Sequence, residues 1–374
     1  IRAVSIDYAS SSPEIFDCAT SDARHHNGSR SDTESDLHEM LISIAQLAGG
    51  FILLVWGADR LVAGASALAR NLGVSPLVIG LTIVAFGTSA PELVVSGVAA
   101  YRGNPGLAVG NAIGSNIANI GLILGLTAIV YPLRVESETL KREYPLLMLI
   151  MIASLIMAAD LVYDQTEGWL LLTGLVALVI WMVRFGLRRA PDDPLAEEFA
   201  AEIPSDMPTT YAVLWLVVGL IILPISSKFL VEGAIFIARS LEVSEAVIGL
   251  TIMAFGTSLP ELAAALTSAL REEDDLAIGN VIGSNMFNIL GVLGIAAVIN
   301  PVDVDFLMLK QDFPVMFLFT VMLFFMAYGI QGPGRINRRS GYLLLSLFLA
   351  YQVLVWVTAS HVSPCLLYTS DAAD

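Results

Sequence analysis

Two glutamates, Glu92 and Glu261, lie in otherwise apolar stretches and follow the same phrase, Gly-Thr-Ser-x-Pro-Glu. On a continuous helix Thr88 and Ser89 precede Glu92 by four and three residues, so both hydroxyls share the carboxylate's face. Thr257 and Ser258 stand in the same relation to Glu261. Pro91 has no amide hydrogen and crowds the carbonyl of Gly87. A carbonyl freed in an apolar medium needs another partner, and a cation or a water can serve. Two further pairs, Ser115 with Asn119 and Ser284 with Asn288, are each spaced four apart and can present a hydroxyl and an amide oxygen on one face. All of these donors are hard oxygens, the type taken by Ca2+ (about six to eight per ion) and similarly by Na+. Neither half of the set has enough of them; the two together do.

A carboxylate at mid-membrane costs roughly 3 kcal/mol, and two facing one cavity also repel each other. A divalent cation removes both penalties, and protons or sodium ions could replace it in the other half of a cycle. Competition for one charge-compensated cavity is a physical basis for antiport. Blander readings exist for each residue. A single such glutamate could be a protonated acid in a helix interface, and a Thr or Ser hydroxyl could bond back to its own helix. An Asn could simply join two helices. Repetition of the whole phrase favours function for the glutamates, whereas Asn111 and Asn280 stay open between the two readings. Gly110, Gly114, Gly279 and Gly283 are read as packing residues that permit close helix approach.

The elements that must hold these residues are apolar runs of about 20 residues, enough to cross a bilayer as helices. Ten fall at residues 41–63, 76–100, 106–131, 144–163, 168–187, 212–238, 245–269, 276–299, 313–330 and 341–362. A Pro-rich acidic loop, 188–211, divides them five and five. Val78–Leu93 reads VIGLTIVAFGTSAPEL and Val247–Leu262 reads VIGLTIMAFGTSLPEL, while Gly110–Ile120 and Gly279–Ile289 read GNAIGSNIANI and GNVIGSNMFNI. Every pairing has the same offset of 169 residues. An odd number of spans per half makes the second half enter the membrane in the opposite sense, an arrangement used by many secondary transporters. The expected fold is therefore an all-α polytopic membrane protein of ten transmembrane helices in two inverted-topology five-helix repeats, residues 40–187 and 212–364.

Composition agrees. The 374 residues are 56% hydrophobic and 14% charged, with a mean hydropathy of +0.75, against about 25% charged in soluble domains. The net charge of −16 comes mainly from the first 39 residues and from Asp192 to Asp206, and so says little about partners. No basic stripe supports nucleic-acid binding, and no Gly-Lys-Ser/Thr phosphate loop exists. Residues 1–39 are polar and are expected to be a non-native or disordered extension ahead of Met40; residues 365–374 read as a translated sequencing-adaptor scar. Cys18 and Cys365 fall in these ends, and the four histidines lie at or near them, so no disulfide, thiolate or His-based metal site is expected. Eleven Lys and Arg residues fall in one set of alternate loops and three in the other, which makes the first set cytoplasmic and both termini external.

At these motifs the chain resembles the calcium/cation antiporter superfamily, and within it the prokaryotic sodium/calcium exchanger branch, over residues 41–362. The resemblance implies a transporter and not an enzyme, integral to the cell (inner) membrane. It implies Ca2+ and Na+ as transported ions, the lipid bilayer as surroundings, no cofactor and no protein or nucleic-acid partner. The implied site is Thr88, Ser89, Glu92, Ser115 and Asn119 with Thr257, Ser258, Glu261, Ser284 and Asn288, and further ligands are implied at the carbonyls of Ala85 and Ala254. The implied mechanism is alternating access, with the first and sixth helices sliding past a core. Several family members carry an aspartate where this chain has Asn288, an acid associated with potassium use, so its absence argues against potassium co-transport. Proton-driven calcium exchange in the same fold is the nearest alternative. An intramembrane carboxylate hydrolase and a passive channel are more distant ones.

Overall fold

The computed structural model describes residues 29–74, 76–103, 105–135, 140–188, 207–241, 254–328 and 334–370. In chain order the helices are α1 (Ser29–Leu72), α2 (Leu77–Thr88), α3 (Ala90–Tyr101), α4 (Gly106–Val130), α5 (Leu140–Met157), α6 (Gln165–Arg188), α7 (Thr209–Ser240), α8 (Ala254–Thr257), α9 (Leu259–Leu270), α10 (Asp274–Ile299), α11 (Phe306–Tyr328) and α12 (Arg338–Ser370). Four short strands lie between them: β1 (Leu133–Val135), β2 (Val162–Tyr163), β3 (Val302–Asp303) and β4 (Gly334–Ile336). Among the described residues eight helices are long and apolar enough to span a bilayer, and α2 with α3 make a ninth span bent by 43°. The expected span at 245–269 is described from Ala254 onward, as α8 and α9; its start lies outside the described residues, as do residues 1–28, most of the 188–211 loop and residues 371–374. Helix α1 starts upstream of Met40 and α12 runs on to Ser370.

Burial sorts the spans into inner and outer. Helices α4 and α10 have 72% and 83% of their most apolar window buried, against 17–39% for the other long spans. The outer helices show bare apolar side chains such as Phe51, Ile156, Val176, Leu349 and Val353, as lipid contact requires, with Trp169, Tyr211, Tyr342 and Trp356 among them.

Among the described residues two separate apolar cores result. One joins α4, α5, α10 and α11 with their neighbours; the other is built mainly on α1 and α7. Helices α1 and α7 pack antiparallel through small residues. A methyl on Gly64 would sit 2.5 Å from the Leu216 backbone nitrogen, one on Gly57 2.8 Å from Ile222, and one on Gly50 3.0 Å from Leu230, so rising numbers on α1 meet falling numbers on α7. Without a hydrophobic driving force in lipid, such close backbone approach is what holds helices together. Arg60 lies over the Trp215 ring at 4.6 Å and near the Trp56 ring at 5.8 Å, a cation–π clasp across the same pair.

The strands tie the halves together. Strand β1 pairs antiparallel with β4, and β2 with β3. Helix α5 leads from β1 to β2, and α11 leads from β3 to β4. The two helices therefore run in opposite directions between the same two ribbons, although Pro145 and Pro314 mark them as counterparts in the 169-residue register.

The expected glycine packing is described in one half. Gly279 and Gly283 press on the α2 backbone, where added methyls would meet the Leu77 and Leu81 carbonyls at 2.8 and 2.5 Å. Among the described residues Gly114 has nothing within 4 Å and Gly110 only Met308 at 3.8 Å. The counterpart of Leu77–Leu81 lies outside the described residues, and the expectation for Gly110 and Gly114 falls there. Asp59 and Lys228, which share a register position and could have paired, do not. Asp59 accepts hydrogen bonds from Arg271, the Nε one at 3.0 Å, and Lys228 pairs with Glu232 at 3.6 Å.

Candidate cation site

The phrase Gly-Thr-Ser-x-Pro-Glu does not continue a helix; it breaks one. Ser89 (φ −85°, ψ 4°) ends α2 and caps α3, and Ser258 (φ −88°, ψ 3°) holds the same place between α8 and α9. Pro91 sits in the first turn of α3, where no intrahelical donor is needed, so it starts a helix rather than interrupting one. The expected single helical face shared by Thr88, Ser89 and Glu92 is thereby corrected. Glu92 and Glu261 instead lie in the first turns of new helices, at the ends that favour negative charge.

Neither Ser89 nor Ser258 caps its own helix with its side chain. The Ser89 hydroxyl donates to Glu261 Oε1 at 3.1 Å, from one half of the chain to the other. Thr88 Oγ1 donates to Asn280 Oδ1 at 3.1 Å, and Asn280 Nδ2 donates to the Glu261 carbonyl at 3.4 Å. In the first half Asn111 Nδ2 reaches the Glu92 carbonyl at 3.5 Å and Ser96 Oγ at 3.0 Å. Asn111 and Asn280 thus brace the backbone of the two glutamates. The Ala85 carbonyl, an expected ligand, accepts from the Ser89 amide at 3.0 Å and lies 3.4 Å from Thr88 Oγ1 as an alternative acceptor. Ala254 is the first described residue of α8.

Both GSNxxN phrases run into π-helical turns, Asn119–Leu124 and Asn288–Leu293, again in the 169-residue register. The Asn288 turn packs against the Glu92 half-helix α3, and the Asn119 turn against the Glu261 half-helix α9. Glu92, Glu261, Thr88, Ser89, Ser258, Ser115, Ser284, Asn119 and Asn288 are all buried, and Thr257 is half-buried. Four of their oxygens are buried without a hydrogen-bond partner among the described residues: Glu92 Oε2, Glu261 Oε2, Ser284 Oγ and Asn288 Oδ1. Buried polar atoms are rarely left this way. Two carboxylate, one hydroxyl and one amide oxygen short of partners are a donor set suited to a hard cation.

Sequence reasoning passed over Asn116 and Asn285. Asn119 Nδ2 donates to Asn285 Oδ1 at 2.9 Å, and Asn288 Nδ2 donates to Asn116 Oδ1 at 3.2 Å. Their signal was present, since each stands in a repeated GSN at the common offset.

Comparison with known proteins agrees with this architecture. The family model for sodium/calcium exchanger protein matches residues 42–186 and 211–357. The chain is similar to the putative antiporter CaxA of Alkalimonas amylolytica, with 49% identity over 85% of this chain and 99% of that protein. It is also similar to the sodium/calcium exchanger MaX1 of Methanosarcina acetivorans, with 31% identity over 82% and 96% of the two chains. A solved structure of the sodium-calcium exchanger NCX_Mj, soaked with Na+ and Sr2+, superposes with a TM-score of 0.71 at 33% identity, covering 83% of this chain and 97% of that one. With matched segments that take in both acidic helix breaks, the chain belongs to the sodium/calcium exchanger family and is a multi-pass membrane antiporter of cations, a transporter and not an enzyme.

Proposed function

We propose that this antiporter exchanges Ca2+ for Na+ at one site near the membrane midplane, with Glu92 and Glu261 as its two charged ligands. The observation that carries the reading is the pair of register-related, buried glutamates, each with an unpartnered oxygen, together with the unpartnered Ser284 and Asn288 oxygens. Thr88, Ser89, Thr257, Ser258, Ser115, Asn119 and the carbonyls of Ala85 and Ala254 complete the proposed set. Two carboxylates match the charge of one Ca2+, and Na+ ions can neutralise the same oxygens on the return.

The proposed architecture is ten spans in two inverted repeats, residues 40–187 and 212–364. Supporting it, α1 against α7 and α5 against α11 are register counterparts that run antiparallel. The separate core under α1 and α7 fits a pair of helices that slides past the rest and exposes the site to each side in turn. The β1–β4 ribbon sets Arg134 opposite Arg335, and the Arg134 amide donates to Asp274 at 3.0 Å, so three of the basic loops meet at one end. That end is proposed to be cytoplasmic, with both termini outside an inner membrane.

Na+-gradient-driven uptake of radiolabelled Ca2+ into proteoliposomes, with and without K+, tests the reading. Uptake that follows a pH gradient and ignores Na+ would replace it with proton-driven exchange at the same site. That second reading draws on Asn288, which leaves two glutamates as the proposed charged ligands, and each can carry a proton.

A further inference from the structure

We infer that Asn116 and Asn285 are positioning residues that hold the Asn119 and Asn288 carboxamides with their oxygens free for the cation and hold the site's charge at two carboxylates; this rests on the proposed site. A carboxamide has one donating and one accepting end. Where its NH2 is consumed in one direction, its oxygen must point in another. Asn285 Oδ1 takes the Asn119 NH2 at 2.9 Å, and Asn116 Oδ1 takes the Asn288 NH2 at 3.2 Å. These are the two halves of one crossed lock between α4 and α10, and all four side chains are 1% exposed.

Asn116 cannot turn over freely. Its own Nδ2 donates to the Asn285 backbone carbonyl at 3.2 Å and lies 3.6 Å from Met316 Sδ, so rotation would set carbonyl against carbonyl. With Asn116 fixed, the group at position 288 must be a donor, and the Asn288 oxygen is turned away from the lock. That oxygen is buried and unpartnered, in the π turn that packs on the Glu92 half-helix. A carboxylate at 288 would offer no hydrogen to the lock and would place its charge against the Asn116 amide oxygen; at 119 the constraint is looser, because Asn285 Nδ2 has no partner among the described residues and can turn to meet an acid. The Asn116 half of the lock thus selects a neutral carboxamide at 288 and leaves Glu92 and Glu261 as the site's two charges.

The test is the half-saturating Ca2+ concentration and maximal rate of uptake in proteoliposomes, driven by whichever gradient supports it and normalised to folded, monodisperse protein. Asn116→Leu and Asn285→Leu remove the acceptors and are expected to raise half-saturation about tenfold, the scale of one lost buried hydrogen bond. Asn285→Asp keeps the acceptor and is expected to stay at or below the unsubstituted value. If a Leu variant fails to fold, the Ala variant at that position takes its place. Unchanged half-saturation in the acceptor-less variants, or equal impairment in Asn285→Asp and Asn285→Leu, would overturn the lock. Glu92→Gln and Glu261→Gln run alongside. Intact uptake in those two sinks the site and the lock together, whereas their failure with unchanged half-saturation in the Asn variants sinks the lock alone.

Discussion

The Ser89 hydroxyl, at the helix break of the first half, donates a hydrogen bond to Oε1 of Glu261 in the second half across 3.1 Å. A side chain placed to cap its own helix instead serves the acid of the other repeat. Each half is therefore incomplete alone, and the carboxylate is held by the partner half while its second oxygen stays available.

Ser89→Ala is expected to leave the fold intact and weaken Ca2+ handling. A hydrogen bond to a charged group is worth roughly 1.5–3 kcal/mol, and part of that holds the Glu261 carboxylate in its binding geometry. Half-saturating Ca2+ in the flux assay should rise several-fold. An unchanged value would remove Ser89 from the site.

Glu92→Gln and Glu261→Gln should each abolish Ca2+ uptake, since one remaining carboxylate cannot balance a divalent ion. Ca2+ at about a hundredfold its Kd stabilises a native protein by roughly 2.7 kcal/mol. The detergent-solubilised protein should thus melt higher with Ca2+ than with chelator, and both Gln variants should lose that difference. In chelator the variants should melt at or above the unsubstituted chain, because an uncompensated buried charge has been removed.

Asp59 and Arg271 join α1 to the end of α9. Their counterparts in the register, Lys228 and Arg102, carry like charges, so this ion pair, which crosses from the first half to the second, has no register-related twin. Both side chains are about two-fifths exposed, and such pairs contribute at most about 1 kcal/mol. Asp59→Asn and Arg271→Gln should fold normally and change the maximal exchange rate by a few-fold with half-saturating Ca2+ unaltered. The charge swap Asp59→Arg with Arg271→Asp should restore the rate. A rate indifferent to all three variants would deny the pair any part in the cycle.

Gly64→Ala should destabilise the protein by about 1–3 kcal/mol, the usual cost of overpacking. The new methyl would meet the Leu216 nitrogen at 2.5 Å and the Ala212 carbonyl at 2.6 Å, backbone atoms that cannot turn aside. Gly49→Ala, with nothing within 4 Å among the described residues, should be neutral. Thermal unfolding of the two variants measures the contrast.

Much of this protein was legible from residue order. Apolar runs located the spans because a bilayer demands about 20 such residues per helix, and the constant 169-residue offset identified counterparts without any coordinates. Residue type and repetition singled out Glu92, Glu261, Ser284 and Asn288 as oxygen donors, the proposed ligands. Local sequence did not reveal that Ser89 and Ser258 end one helix and begin another, because proline is compatible with a kink or with a new start, and packing from neighbours decides between them. Nor could it pair Ser89 with Glu261, Asn119 with Asn285 or Asp59 with Arg271, contacts that lie 172, 166 and 212 residues apart. Spacing along one helix constrains only neighbours a turn away. Which oxygen is satisfied and which is left without a partner depends on the crossing of α2, α3, α4, α9 and α10, and only the tertiary structure sets it.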